Sequence, residues 1–427
     1  MDRLWATVTA TLLMVSWAGA ASPDPRSLVI SRQDLSLARS LVQRLGDERF
    51  REREQAQKEL AEMGRRARLA LREAVNSDPS AEIRSRAAQL LPRAESAELQ
   101  LRIETFLADT EGKFEHDLPG WNLFRKCVGD KADRSGATTR NLYVELLKSR
   151  SNLELLVAIK GTPEAAGPLI ADRRYSLFLQ MNPQLRGQAN MAFNTDRSQL
   201  LSLVDVAGLL FAESVVPAKY IPRTGPFAGI NGATFAQQPV SMNVINNPAS
   251  SPHGEAYRRI LIRWIESRTG ADELGNVVYL VTRLPQMKEA NSILRRIIDT
   301  TGVAGWAKAQ AVIALAQRNG KDEIGFLKTL LTNDLSVGNI FLGQGGNGMA
   351  KFATCQLRDV ALAMLIAQSG QKIQDYGYEV PSHGNPDPLR SNYPSYAFPT
   401  DEARVAALKK WANHESASRS KSEAPRK

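Results

Sequence analysis

Three glycines are the first candidates for chemistry. Gly343, Gly345 and Gly348 spell G-x-G-x-x-G. That spacing lets a backbone approach a dinucleotide pyrophosphate when a strand enters the loop, a helix leaves it and an acid follows about 20 residues on. Residues 337–342 give only a weak strand pattern, their surroundings read as helix pairs, and the Gly-Lys-Ser/Thr of a phosphate-binding loop is missing. A flexible loop between repeats is expected there. The four histidines, His116, His253, His383 and His414, are scattered, and none belongs to an H-E-x-x-H. His116 beside Asp117, or His253 beside Glu255, would need a further group supplied by folding to make a site. Each reads as ordinary solvated polarity. Cys127 and Cys355 lie far apart, without a C-x-x-C or a zinc-type Cys/His cluster. Two separate buried thiols are expected, with pairing left open. No G-x-S-x-G elbow occurs. No catalytic, cofactor-binding or metal-binding residue is assigned, and the expectation leans away from an enzyme.

The chain that must position these residues has 427 of them, 43% hydrophobic and 23% charged. Its length fits two or three compact domains or one extended repeat array. Two cysteines are too few for a disulfide scaffold. Lys and Arg outnumber Asp and Glu by 55 to 45, a net charge of +10. Such an excess attracts anionic partners, but here it is interspersed with acids, as on a solvated surface. Arg3, the apolar or small residues 4–17 and Ala18-Gly19-Ala20 form a signal-peptide pattern. Cleavage after Ala20 and export to the periplasm or medium are expected. The apolar stretch is shorter than the ~20 residues of a spanning helix, so no transmembrane helix is expected in the mature chain.

Downstream, the hydrophobic periodicity is helical almost throughout. Asp34 is read as the cap of a helix with Leu35, Leu37, Ala38, Leu41, Val42 and Leu45 at 3–4 spacing, ended by Gly46. Further helices are expected over residues 50–63, 67–75 and 82–91. In the C-terminal half they are expected over 257–268, 272–283, 287–299, 304–318, 323–331, 351–369 and 401–411. Residues 198–211 are nearly all apolar, and Asp205 with the short length favours a buried helix over a membrane span. The pattern basic-x-x-Ala-x-x-x-Leu recurs as Arg53/Ala56/Leu60, Arg84/Ala87/Leu91, Lys308/Ala311/Leu315 and Arg358/Ala361/Leu365. Its Ala and Leu share one helix face. The small residue lets a neighbouring helix approach while the Leu fills the seam. Residues 217–252, rich in Pro, Gly, Asn, Ser and Gln, read as a long loop that is disordered or else binds a partner or covers a surface. The expected divisions are a signal peptide at 1–20, N-terminal repeats at 21–108 and an irregular helical middle at 109–216. A long loop at 217–254, C-terminal repeats with a capping helix at 255–413 and a disordered tail at 414–427 complete the chain.

The stretch LGDERFREREQAQKELAEMG, through Gly46, Asp47, Phe50, Arg53, Glu54, Ala56, Leu60 and Gly64, resembles the HEAT-like repeats of exported planctomycete proteins. DLPGWNLFRKCVGD, QLRDVALAMLIAQSGQ, the later DYGY and the closing ALKKWAN look like further blocks of the same type. The resemblance is discontinuous. It carries over no catalytic residues, because that family has no assigned activity. It implies a superhelix of helix pairs that binds partners. The fold expected is all-α, a HEAT/armadillo-like α-solenoid of helical hairpins.

In such an array the second helices of the C-terminal pairs line the concave wall. With Tyr257, Ile260, Leu261 and Trp264 inward, Arg258, Arg259 and Arg263 fall outside the apolar stripe. With Ile293, Leu294, Ile297 and Ile298 inward, Lys288, Arg295 and Arg296 do the same. These six cations are the candidate partner-binding residues. The partner expected is a protein, an acidic one by preference, with an anionic glycan as second candidate. Nucleic acid is not expected after export, and no cofactor is called for. The function expected is a non-catalytic binding or assembly scaffold. Its rivals are an enzyme with a site in the middle region and long loop, and an envelope component that binds an anionic polymer.

Overall fold

A computed structural model describes residues 23–129, 137–182, 201–222, 229–284, 287–344, 350–378 and 396–423. The described residues are mostly helical, with one two-stranded sheet. They form two compact units. One comprises the residues through Trp121 with 137–140, and the other comprises 122–129 and the residues from Asn141 onward.

In the first unit, α1 (Arg32–Arg44) begins at Ser31, whose Oγ accepts the Asp34 amide at 3.0 Å and donates to the Asp34 carboxylate at 2.8 Å. Ser31 is therefore the cap, and Asp34 is the acid of the first turn. Ala38, Leu41, Val42 and Leu45 are buried, whereas Leu37 falls off the stripe and is exposed. Next come α2 (Phe50–Met63), α3 (Arg68–Ser77) and α4 (Ala81–Ala108). The last of these runs through Pro92 without ending. Helix α1 packs on α2 and α3 on α4, while α1 also meets α3 and α2 also meets α4.

The recurring sequence pattern builds one joint twice. Arg53 Nη1 donates to the carbonyls of Asp47 and Glu48 at 2.8 and 3.0 Å. Arg84 Nη1 donates to those of Asp78 and Pro79 at 2.7 and 2.9 Å. Each guanidinium ties a helix to the turn that leads into it. The following alanines, Ala56 and Ala87, are buried, as is Leu60; Leu91 is only partly covered.

The second unit holds most of α5 (Trp121–Val128) and of α6 (Ala137–Lys148), then α7 (Arg150–Lys160), α8 (Pro163–Met181) and α9 (Leu203–Val215). Helix α9 is the apolar segment expected to be buried, and its central residues are. Residues 198–200 lie outside the described residues. Among the described residues, no helix is long and apolar enough to cross a membrane.

The segment read as one long loop contains α10 (Gly232–Ala236) and α11 (Pro239–Asn246). Its turn-forming residues start helices instead of excluding them. Asn231 Oδ1 accepts the Ala233 amide at 2.9 Å, and Pro239 stands at the first position of α11. Phe235, Val244 and Ile245 are buried beneath this segment.

Then follow α12 (Gly254–Glu266), α13 (Ala271–Thr282), α14 (Ala290–Asp299), α15 (Gly305–Asn319) and α16 (Ile324–Thr329). The helix expected over 351–369 is corrected. Strand β1 (Ser336–Gln344) pairs antiparallel with β2 (Ala350–Gln356), and only then does α17 (Leu357–Gln368) begin. Helix α13 packs on α14 and α15, and α15 packs on α17. Ala311, Leu315, Ala361 and Leu365 are buried in this stack. The chain closes with α18 (Asp401–Glu423), which continues well past Trp411 into the stretch expected to be a disordered tail. No Pro or Gly interrupts residues 412–423, and Lys328 Nζ holds Glu415 at 2.7 Å.

Candidate binding surfaces

The six cations keep their expected faces but are not a row of unpaired charges. Tyr257, Ile260, Leu261 and Trp264 on α12 are buried, as are Ile293, Leu294, Ile297 and Ile298 on α14. Arg258 is half-buried, 3.9 Å from Glu255, and Arg259 is also half-buried. Arg263 is exposed and stands 3.5 Å from Glu266. Arg296 donates to the Glu266 carbonyl at 3.3 Å, so α12 and α14 meet around that residue. Burial pushes the Glu266 carboxyl up, with Glu289 adding to the effect. Arg295 is drawn away, with two guanidinium nitrogens on Glu323 Oε2 at 3.2 and 2.8 Å and its charge over the Phe326 ring. Lys288 is exposed in the turn before α14.

The β-hairpin offers a surface of another kind. Strand alternation sends Ala353 and Cys355 into the core. The register sets Phe341 opposite Phe352 with ring centroids 5.6 Å apart. These two rings remain 56% and 61% exposed. The weak strand pattern over 337–342 does not reveal this pair, because residues 351–356 read as the start of a helix. Residues 345–349, with two of the three motif glycines, lie outside the described residues. The strand before them returns as an antiparallel partner and not through a helix, so the described surroundings lack the βαβ unit a dinucleotide loop needs.

Other charged groups are buried as joints. Glu213 on α9 is 1% exposed. Its carboxylate accepts from Arg174 Nε and Trp264 Nε1, both at 2.7 Å, and its carbonyl accepts from Arg268. Arg268 also meets Glu273 at 3.0 Å. Arg404 on α18 forks onto Asp359 of α17 at 2.8 and 3.1 Å. Burial raises the Asp359 carboxyl although Arg404 pulls the other way.

The remaining expected residues sort differently. Both cysteines are free, Cys355 buried and Cys127 half-buried. Burial pushes both thiols up. His253 is half-buried, which lowers its pKa, and His414 lies against Trp411. His383 is outside the described residues. Among the described residues, no three His, Cys, Asp or Glu side chains are grouped to hold a metal ion.

His116 is the departure. It is buried, and its partner is not the adjacent Asp117 but Asp109, whose Oδ2 lies 3.0 Å from His116 Nε2. Asp109 follows α4, and its carboxylate also accepts the amides of Lys113 and Phe114 at 2.9 and 3.0 Å. Burial works against this carboxylate, but His116, the two amides and Arg140 hold its pKa below the usual range. Arg140 donates to the carbonyls of Phe106 and Asp109, capping α4, and lies 4.1 Å over the Phe106 ring. Phe106 in turn packs edge-on against His116 and Trp121. Asp117 is taken by Arg102, 3.3 Å away. His116 lines a cavity of about 220 Å³ in the first unit.

Compared with protein-family models, curated proteins and solved structures, the chain matches none.

Proposed function

We propose that this chain is an exported, non-catalytic protein-binding scaffold whose helical hairpins stack as a HEAT/armadillo-like α-solenoid. The observation that carries the proposal is the repeated joint. Arg53 and Arg84 make the same pair of carbonyl bonds, each three residues before a buried Ala and seven before a Leu, while α1 stacks on α3 and α2 on α4. Stacked hairpins cover their apolar faces with one another and leave an extended helical wall for a partner. The partner is an acidic protein. Arg263 and Lys288 give it exposed positive charge on α12 and ahead of α14, and Phe341 with Phe352 gives it an apolar anchor of the kind that dominates interface energies.

The test recovers interacting proteins from the native envelope with the mature chain as bait. An Arg263→Glu/Lys288→Glu variant should lose them while helicity and melting stay unchanged, because both side chains are exposed. Wild-type recovery should fall as salt screens the contact. Undiminished recovery by the reversed variant at both low and moderate salt would refute the acidic partner. Arg295 is left intact in this experiment, since Glu323, nearly fully buried, depends on it.

A further inference from the structure

The Asp109–His116 pair does more than hold a turn. The Asp109 carboxylate already accepts two main-chain amides, the role of an ionised acceptor, so the proton it shares with the ring is assigned to His116 Nε2. In the neutral ring Nδ1 is then a lone-pair acceptor. Nδ1 has no hydrogen-bond partner among the described residues, and the ring that carries it borders the cavity. Carboxylate, two amides, Phe106 and Arg140 fix that ring before any ligand arrives, the kind of support that keeps a binding group in one orientation.

The rest of the wall states what would fit. Leu28, Val29 and Leu118 give an apolar side, and Arg26 gives an exposed guanidinium at the rim. Glu115, also at the rim, is exposed. The segment bearing Leu28 is held in place by Arg65, which donates to the Leu28 carbonyl at 2.9 Å. At about 220 Å³ the cavity is smaller than the ~300–1,000 Å³ of sites for drug-sized ligands.

We propose that this cavity binds a small carboxylic acid bearing a hydroxyl group, with the hydroxyl donating to His116 Nδ1, the carboxylate meeting Arg26 and the short hydrocarbon lying on Leu28, Val29 and Leu118. The scaffold function does not require this site, and the site does not require the scaffold function.

The probe is lactate, titrated into the full mature chain over the ~1–50 mM range suited to so small a ligand. The readout is the pair of His116 ring-nitrogen resonances. Lactate should shift Nδ1 saturably. Propionate, without the hydroxyl, and lactamide, without the charge, should each bind at least about tenfold more weakly, the loss of one directed polar contact. Arg26→Gln, at an exposed position, should weaken lactate and leave melting unchanged. His116→Gln keeps an amide donor for Asp109 but removes the Nδ1 acceptor, and should abolish binding as followed by calorimetry. No saturable shift at His116, equal binding of the three probes, or unchanged affinity in Arg26→Gln would each overturn the proposal.

Discussion

Replacing Glu213 by Leu tests the energetics of the second unit most directly. The carboxylate is 1% exposed and takes two hydrogen bonds at 2.7 Å, from Arg174 and from Trp264. Arg174 is itself buried. Removing Glu213 therefore leaves a cation and an indole N–H without acceptors in a dry site. Losing one partner of a buried pair costs about 3–5 kcal/mol. Arg268 adds little to this loss. Its guanidinium keeps Glu273 at 3.0 Å and its hydrogen bond to the main-chain carbonyl of residue 213, and loses only a longer 3.9 Å ion pair to the Glu213 carboxylate. Arg174→Met/Glu213→Leu removes both charges at similar volume. That double variant should recover most of the loss, because a buried pair exchanged for apolar groups is often nearly neutral. Urea unfolding followed by far-UV circular dichroism and by tryptophan emission measures both variants, and agreement of the two probes checks that a single transition is read. Glu213→Leu within about 1 kcal/mol of wild type would refute the reasoning, since surface substitutions fall in that range. A double variant no better than the single would show that the stranded arginine is not the source of the cost.

Full burial of the repeated alanines predicts that Ala87→Leu and Ala311→Leu each destabilise by about 1–3 kcal/mol through overpacking, measured by the same unfolding curves. Leu315→Ala, at a fully covered position, should cost about 2–5 kcal/mol, and Leu91→Ala less, since Leu91 is only partly buried. The Asp109 carboxyl titrates lower in the folded than in the unfolded chain, where the ordinary value is ~3.9. Its contribution to stability is thus complete above that unfolded value and lost as pH falls through the folded one. Asp109→Asn should remove that part of the acid dependence in pH-resolved melting. Exported material should begin at Ala21 by intact mass; retention of Met1 with membrane fractionation would refute the cleavage reading.

The helical content was legible because apolar residues spaced by three and four leave no other regular structure able to bury them on one side. The local spacing of Arg53, Ala56 and Leu60 marked the repeat, whereas the bonds from Arg53 to the preceding turn are seen only in the structure. Where the partner is distant, the sequence was silent. Residues 351–356 became a strand because residues 336–344 stand opposite them, and a short apolar run beside a helix has no pattern that announces a strand pair. Asn231 and Pro239 signal turns in isolation, yet burial of Phe235 and Val244 makes them helix starts. His116 was read with the acid next to it, whereas the turn after α4 folds back to give it Asp109. Arg295 was set in a row of cations, but Glu323 reaches it from the end of another helix. Periodicity is written residue by residue and survives reading in one dimension. Which charge meets which, and which face stays open, is decided only when segments far apart in the chain exclude water together.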